Sequence, residues 1–342
     1  MLAYLYSLAK DKKNDFLSNF IKKLLYLLSL LYELIIRLIR NFRIKRAYRF
    51  SCKLISVGNI VLGGTGKTPL VEYLANFLKR EKKKIAILSR GYAQGQNLND
   101  EPEMLKDNLK DIPIIVDKDR LRAIQRVIRD YKVDTVILDD GFQQWQIKKD
   151  LEIVTIDATN PFGNGKLIPR GILREPLDGL KRAQIIVLTK TNLNPDTLDL
   201  KVFLEGINPY FFIFEAEYLP LGFYRLNQRG LISFSFFKDK KVILFSGIAE
   251  PDSFEELILN MDIAVKEHIV FPDHHFYRKI DIEKIKAEGK RNNTNIFITT
   301  QKDAVRLKDF ALSDMEIYVL KITLKINEEE NFFKRILSIY NS

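Results

Sequence analysis

One short stretch of the chain combines glycines, a lysine and a threonine in a pattern that is typical of phosphate binding. It reads Gly63-Gly64-Thr65-Gly66-Lys67-Thr68. An apolar run at 54–57 precedes it, and residues 69–78, which follow it, have the apolar spacing of a helix. A glycine-rich turn between a strand and a helix lets backbone N–H groups converge at the positive end of the helix dipole. We therefore predict that a nucleoside triphosphate binds at this phosphate loop. Its predicted residues are Val61, Leu62, Gly63, Gly64, Thr65, Gly66, Lys67 and Thr68.

The last two residues of the phosphate loop have distinct expected roles. Lys67 would reach the β- and γ-phosphates, and the hydroxyl of Thr68 would ligate Mg²⁺. The usual form of the loop has glycine at position 61, where this chain has Val61. The loop is therefore a G-G-x-G-K-T variant, with Leu62 where some relatives of that variant carry a second lysine. The alternative is a glycine turn that is followed by Lys-Thr by chance.

Two adjacent carboxylates end the apolar run at 133–138. An apolar strand that ends in an acidic residue is the pattern in which a carboxylate holds Mg²⁺ directly or through water. Asp139 or Asp140 would hold Mg²⁺, and the alternative is a buried strand that simply ends in Asp at a turn. We predict that both aspartates belong to the catalytic centre, and we assign Thr68 and Asp139 as the metal ligands.

The composition describes a globular chain with its positive charge concentrated in one segment. With 342 residues, 46% of them apolar, the chain can bury the cores of two α/β domains. Cys52 is the only cysteine, which excludes an intrachain disulfide and fits a reducing compartment. The net charge is +11, and residues 1–50 contain eleven Lys and Arg against three acidic residues. Such a segment indicates a local anionic partner.

Residues 15–42 have the pattern of a long amphipathic helix. Its polar residues fall in one narrow stripe, and leucines and isoleucines cover the broad opposite arc. The longest uncharged run, 24–32, is too short to span a bilayer, so we predict that the helix lies on an anionic membrane surface. A basic cluster follows, formed by Arg43, Lys45, Arg46 and Arg49. The alternative is a helix that covers the core of the nucleotide domain. We expect no nucleic-acid partner, because leucines separate the basic residues, and we infer no protein partner.

Several motifs occur together in one order along the chain. They are the phosphate loop, Ser89-Arg90-Gly91-Tyr92, Asp100-Glu101-Pro102, Leu138-Asp139-Asp140-Gly141-Phe142-Gln143, Gly163-Asn164-Gly165, Leu173-Arg174-Glu175-Pro176-Leu177, Phe271-Pro272-Asp273-His274 and Thr300-Gln301-Lys302-Asp303. The set resembles the tetraacyldisaccharide 4′-kinase family, the lipid A 4′-kinases of Gram-negative bacteria, from about residue 20 to residue 310. The resemblance implies transfer of the γ-phosphate of ATP, with Mg²⁺, to the 4′-hydroxyl of a tetraacylated glucosamine disaccharide 1-phosphate.

The resemblance also implies roles for individual residues. Asp100 would be the general base, with His274 tuning its pKa or holding it in place, and closure of two domains would bring the pair together. The implied substrate-binding residues are Arg90, Tyr92, Arg120, Gln143 and Arg174. For each arginine an ordinary ion pair or solvated surface position is the alternative, and Tyr92 could equally be a buried turn residue. The family usually has histidine at position 144, where this chain has glutamine.

The predicted fold is α/β, with two three-layer α/β/α domains. The first is a P-loop NTPase-like domain with a mostly parallel sheet at 51–216, preceded by the amphipathic helix in 1–50. Hinge strands at 217–240 lead to a smaller α/β domain at 241–342. The expected location is the cytoplasmic face of the bacterial inner membrane. Two rival functions are a membrane-bound P-loop ATPase that phosphorylates nothing and a soluble small-molecule kinase or ligase.

Overall fold

The computed structural model describes residues 15–89, 100–194, 196–228, 230–308, 310 and 312–341. The chain divides into two compact units. The first unit comprises Met1–Arg90, Ile112–Glu217 and Lys325–Ser342, and the second comprises Gly91–Asp111 and Tyr218–Leu324.

Helices and strands alternate along most of the described chain. The helices are α1 (Phe16–Lys45), α2 (Lys67–Arg80), α3 (Asp100–Asn108), α4 (Arg120–Tyr131), α5 (Leu198–Ile207), α6 (Pro251–Leu259), α7 (Lys279–Arg291), α8 (Gln301–Arg306) and α9 (Glu329–Leu337). The strands are β1 (Lys53–Gly58), β2 (Ile85–Ser89), β3 (Ile114–Val116), β4 (Thr135–Asp139), β5 (Leu151–Asp157), β6 (Ile185–Thr189), β7 (Phe212–Arg225), β8 (Lys241–Ser246), β9 (Ala264–Val270), β10 (Ile296–Thr300) and β11 (Glu316–Ile326).

In the first unit the strands run parallel in the order β3-β2-β4-β1-β5-β6-β7. Strands β2, β4, β5 and β6 are buried along their whole length, as expected for a parallel sheet that is covered on both faces. The register pairs Val57 with Asp139. The phosphate loop and the acidic turn therefore leave neighbouring strands at the same edge of the sheet.

The second unit has its own parallel strands, in the order β11-β10-β8-β9. Its cores contain the large buried side chains Phe245, Tyr277 and Phe297. A mostly parallel α/β architecture with a helix at the N-terminus confirms the predicted fold class.

The predicted hinge at 217–240 is not a separate element, because all of it after Glu217 belongs to the second unit. The units differ from the predicted domains in two further segments. Residues 91–111 belong to the second unit, where Glu101 and Asp107 of α3 pair with Lys302 and Lys308. Residues 325–342 return to the first unit, where Phe332 of α9 packs edge-on against Phe214. Contacts between residues that are far apart in the chain decide which unit each segment joins. The local sequence pattern does not reveal such contacts.

Helix α1 packs on the first unit through its polar stripe. Asp15 caps its N-terminus by accepting the backbone N–H of Ser18, 3.1 Å away. Its buried residues are Ser18, Lys22, Leu25 and Ser29. The apolar arc faces outward, with Leu27 63% and Leu31 55% exposed. The expectation of an ordinary helix that covers a core with its apolar side is therefore wrong. Among the helices that the structure describes, none combines the length and the apolar character that a membrane crossing requires.

Candidate active site

The phosphate loop connects β1 to α2 as predicted. Gly66 is the residue before α2 and has φ +78°, a left-handed conformation that glycine adopts without strain. No side chain caps this end of α2, so its first backbone N–H groups are available to an anion. Thr65 and Thr68 are buried, whereas Gly63 and Gly64 are exposed. The local geometry is that of an anion site.

A neighbouring segment explains valine at the position where glycine is usual. The side chain of Val61 is buried in the core, and its backbone pairs with Leu173. Leu62 N–H donates to the Ile172 carbonyl at 2.7 Å, and Arg174 N–H donates to the Ile60 carbonyl at 2.8 Å. Val61 therefore packs the loop against this segment, while Leu62 remains exposed.

The backbone pairing of the phosphate loop with residues 172–174 places Arg174 beside the acidic turn at Asp139 and Asp140. Arg174 Nη1 donates to both oxygens of Asp140 at 2.9 Å, and Lys67 Nζ lies 3.5 Å from Asp140 Oδ1. Burial raises the pKa of the Asp140 carboxyl, but the charges of Lys67 and Arg174 outweigh that effect and hold the pKa below its ordinary value. Asp140 is consequently an ionised carboxylate between two cations, all three beside the phosphate loop.

Asp139 and Thr68 provide the oxygen donors that a hard divalent cation prefers. The Asp139 carboxylate is buried at the end of β4, and its Oδ2 accepts the hydroxyl of Ser89 at 2.9 Å. The hydroxyl of Thr68 is buried in the first turn of α2. Among the described residues no cluster of three or more His, Cys, Asp or Glu forms a complete metal site. The donor set fits Mg²⁺, which these two residues would hold, and phosphate oxygens and water would have to supply its other ligands.

A second cluster of charged side chains lies within the second unit. His274 Nδ1 is 3.1 Å from Asp100 Oδ2, and Arg306 Nε donates to the same oxygen at 2.8 Å. Burial raises the pKa of Asp100, but the hydrogen bonds with His274 and Arg306 outweigh it and lower the pKa. The hydrogen bond with Asp100 raises the pKa of His274. The predicted pair is therefore formed inside one unit, and the expectation that domain closure must join it is wrong.

Arg306 organises this cluster. Its Nη1 donates to Asp303 Oδ1 at 3.1 Å and to the Gly247 carbonyl at 2.8 Å. Asp303 is fully buried and also accepts the hydroxyls of Thr300 and Tyr277, at 2.6 and 2.9 Å. Arg306 thus binds two buried carboxylates, those of Asp100 and Asp303. Burial nevertheless raises the pKa of Asp303 above its ordinary value. The Thr300-Gln301-Lys302-Asp303 motif builds the base of the cluster.

The sequence model of the tetraacyldisaccharide-1-P 4′-kinase family matches residues 21–341 of the chain. The chain belongs to this family. The resemblance inferred from the ordered motifs is confirmed.

Similarity to individual tetraacyldisaccharide 4′-kinases extends over nearly the whole chain. The protein of this name from Halothermothrix orenii is 35% identical, over 95% of this chain and 94% of its own. That of Syntrophobacter fumaroxidans is 34% identical, over 87% and 82%. The crystal structure of LpxK from Aquifex aeolicus in complex with ATP superposes with a TM-score of 0.74, at 28% identity, over 93% of this chain and 99% of that one. The likeness therefore includes both units.

Three of the predicted substrate-binding residues, Arg120, Gln143 and Arg174, lie among the described residues. Gln143 Nε2 donates to the Asn59 carbonyl and to Glu175 Oε1, both at 2.9 Å. Arg120 is buried, and its Nη2 donates to the Asp139 carbonyl at 3.2 Å, so it supports the acidic turn from inside. Arg90 and Tyr92 lie outside the described residues.

At position 144, where the family usually has histidine, the glutamine is part of a tight turn. Its N–H donates to the Gly141 carbonyl at 3.0 Å, and its Oε1 accepts Gln146 Nε2 at 3.2 Å. Its amide therefore stabilises the local turn that follows the two aspartates.

Two charged residues of the site were not singled out from the sequence. Arg306 is one of 55 Lys and Arg, and only its position three residues after Asp303 on a short helix could have indicated it. Glu175 lies inside a recognised motif, but an acidic residue next to Arg174 gives no sign that it is fully buried. Both depend on contacts that tertiary folding creates.

Proposed function

We propose that this chain is an ATP-dependent kinase that phosphorylates the 4′-hydroxyl of a tetraacylated glucosamine disaccharide 1-phosphate. The observation that carries the proposal is the cluster of Lys67, Asp140 and Arg174 beside the phosphate loop, in a chain of this family. Phosphoryl transfer depends mainly on positioning and on neutralising charge on the transferred group. Two cations at one acidic turn support both requirements.

The nucleotide would bind with its phosphates along the phosphate loop, where backbone N–H groups at the start of α2 meet Lys67. Thr68 and Asp139 would hold Mg²⁺, which when bound neutralises charge on the phosphates. Asp140 would keep Lys67 and Arg174 in place until phosphate oxygens compete for them. Arg174 would then contact a phosphate, either of ATP or of the substrate.

The acceptor hydroxyl would transfer its proton to Asp100. A carboxylate with a lowered pKa is a weak base, so its main contribution would be to orient the hydroxyl and to receive its proton. The new oxygen–phosphorus bond would form as the bond from the γ-phosphorus to the bridging oxygen breaks and ADP leaves. His274 and Arg306 would keep Asp100 ionised. Substituting Asp100→Asn or His274→Ala should each lower kcat by roughly a hundredfold or more. Turnover near the wild-type rate at saturating ATP would remove that residue from the mechanism.

The Asp100–His274 pair also predicts a pH-dependent contribution to stability. Because the pKa of His274 is raised, its contribution is complete below the usual histidine value of about 6.5 and is lost as the pH rises through the folded value. Because the pKa of Asp100 is lowered, its contribution is complete above about 3.9 and is lost as the pH falls through the folded value. The difference in unfolding free energy between wild type and His274→Ala should therefore shrink as the pH rises above about 6.5. A difference that stays constant over this range would contradict the pairing.

The substrate carries acyl chains, and α1 offers a surface that would bring the enzyme to them. Outward leucines along α1 and the basic cluster at its C-terminal end support binding to an anionic membrane from one side. We propose a peripheral protein on the cytoplasmic face of the inner membrane. Flotation with vesicles that contain anionic lipid tests this, and equal recovery with neutral vesicles would contradict the electrostatic part.

The decisive experiment is incubation with γ-labelled ATP, Mg²⁺ and a panel of lipids, followed by chromatography. The proposal requires label in a disaccharide lipid and none after Lys67→Ala. The rival function is a membrane-bound ATPase without a phosphorylated substrate. Release of labelled inorganic phosphate that does not depend on added glycolipid, with no labelled lipid, would support that rival and overturn the kinase.

A further inference from the structure

Helix α1 contributes two polar side chains to the segment that carries Arg174. The hydroxyl of Tyr32 donates to the Arg174 carbonyl at 2.6 Å. Arg40 Nη1 lies 3.0 Å from Asp178 Oδ1 and 3.6 Å from Glu175 Oε2. The membrane-facing helix therefore contacts Arg174 and the residue that follows it.

Glu175 makes these contacts important because its carboxylate is fully buried. Oε1 accepts Gln143 Nε2 at 2.9 Å and Arg182 Nη2 at 3.0 Å. On the other side, Oε2 faces Arg40 and fills the space beside Gly179, where an added Cβ would lie 2.4 Å away. A buried carboxylate needs nearby positive charge, and α1 supplies part of it.

Arg174 and Glu175 in turn contact two residues beside the phosphate loop. Arg174 binds Asp140 through two hydrogen bonds of 2.9 Å. Glu175 binds Gln143, whose amide also donates to the Asn59 carbonyl at the entrance to the phosphate loop. Two short chains of contacts thus run from α1 to the site, one through Tyr32 and one through Arg40.

We infer that Arg40 and Tyr32 are positioning residues: through Glu175 and Arg174 they set the placement of Gln143 and Asp140 at the phosphate loop. Helix α1 would then be part of the catalytic unit as well as a membrane anchor. This inference rests on the proposed kinase function. It adds that phosphoryl transfer depends on side chains of α1 that contact neither nucleotide nor lipid.

The test compares Arg40→Gln with Arg37→Gln in the full-length chain. Both variants remove one positive charge from the same stripe of α1, so each lowers the net charge of the helix by one unit. Arg37 pairs with Glu33 and Asp178 at the half-exposed edge of the contact. We expect Arg40→Gln to lower kcat about tenfold to a hundredfold, with vesicle binding equal to that of Arg37→Gln. Arg37→Gln should keep kcat within about twofold of wild type. Equal kcat in the two variants would overturn the inference.

A second comparison separates positioning from general loss of structure. Glu175→Gln removes the buried charge that Arg40 balances, while the carbonyl oxygen of the substituted side chain could still accept the Gln143 amide. In that background Arg40→Gln should lower kcat by no more than about twofold. A loss as large as in the wild-type background would overturn the inference. If Arg40→Gln does not fold, Arg40→Lys and Tyr32→Phe replace it, and both should lower kcat while leaving the KM for glycolipid unchanged.

One further measurement distinguishes failure of this inference from failure of the proposed function. If wild type labels no glycolipid, the kinase proposal fails, but the effect of α1 on the phosphate loop can still be measured. Calorimetric titration with a non-hydrolysable ATP analogue should then show weaker binding for Arg40→Gln than for Arg37→Gln. Equal affinities would overturn the inference independently.

Discussion

Helices α1 and α4 have similar patterns in the sequence and opposite orientations in the structure. In α4 the apolar residues Ala123, Ile124 and Val127 are buried against the sheet, and Arg126 is exposed. In α1 the polar stripe is buried, and leucines such as Leu31 are exposed. Periodicity therefore shows that a helix has two faces, but it does not show which face the protein covers.

The reason for the difference is the surface that each helix meets. The sheet offers α4 an apolar surface, so burying Ile124 removes hydrocarbon from water. The segment that contains Leu167 and Arg170 offers α1 polar partners instead. Ser29 Oγ donates to the Leu167 carbonyl at 2.8 Å and accepts the Arg170 N–H at 3.1 Å. The apolar side of α1 remains exposed, and we propose that it enters the acyl region of a membrane.

The strongest contrast should appear in vesicle binding. Leu27→Asp with Leu31→Asp replaces two outward leucines, each worth about 1.5–3 kcal/mol when buried. Binding to anionic vesicles should weaken at least about a hundredfold. Arg126→Asp on the exposed face of α4 changes the net charge by the same two units and serves as the control. If the control weakens binding as much, charge alone explains the effect and the apolar face of α1 does not enter the membrane.

When stability is measured, truncation of an apolar side chain should have a larger effect in α4 than in α1. Ile124→Ala leaves a cavity in the core and should lower the unfolding free energy by about 2–5 kcal/mol in urea titrations. Leu31→Ala on α1 should change it by less than about 0.5 kcal/mol. A comparable loss for Leu31→Ala would mean that the protein itself covers this face in solution.

Truncation of a polar side chain should lower the unfolding free energy more in α1 than in α4. Ser29→Ala leaves the Arg170 N–H and the Leu167 carbonyl without their hydroxyl partner, so we expect a loss of about 1–3 kcal/mol in unfolding free energy. Arg126→Ala on the polar face of α4 should cost no more than about 0.5 kcal/mol. Equal effects would show that α1 does not depend on its polar stripe for packing.

The smallest expected effect concerns the basic cluster. Lys45→Gln should weaken binding to anionic vesicles by about 1 kcal/mol, roughly fivefold at low salt. The difference should fall as ionic strength rises, because exposed charges are screened. Lys118→Gln, which changes a lysine just before α4, should leave vesicle binding unchanged. A salt-independent loss for Lys45→Gln would exclude the electrostatic explanation.

Much of the phosphate site could be predicted because its parts are local. Glycines, Lys67 and Thr68 occupy consecutive positions, and a parallel sheet brings the end of β4 beside the loop. Its place in the motif predicts Val61 at the nucleotide site, yet its side chain packs in the core. A motif assigns a position in the chain, and only packing decides where the side chain points.

Asp100 and His274, unlike the residues of the phosphate loop, are far apart in the chain. Motif resemblance joined two residues 174 positions apart, and the hydrogen bond between them is present. The predicted division into domains was less successful, because α3 packs with the second unit through Glu101 and Asp107. No local pattern in the sequence indicates that Arg306 binds Asp100 and Asp303.

The amino-acid sequence by itself determined the α/β fold class, the phosphate loop, the acidic turn and the amphipathic character of α1, because each follows from residues that are close in the chain. Tertiary structure alone decided which face of α1 is covered, which unit holds Asp100, and that Glu175 is buried beside arginines while Arg306 binds two carboxylates. These features depend on the free energy of bringing distant charges and apolar surfaces together. That free energy depends on two segments at once, so it cannot be inferred from either segment alone.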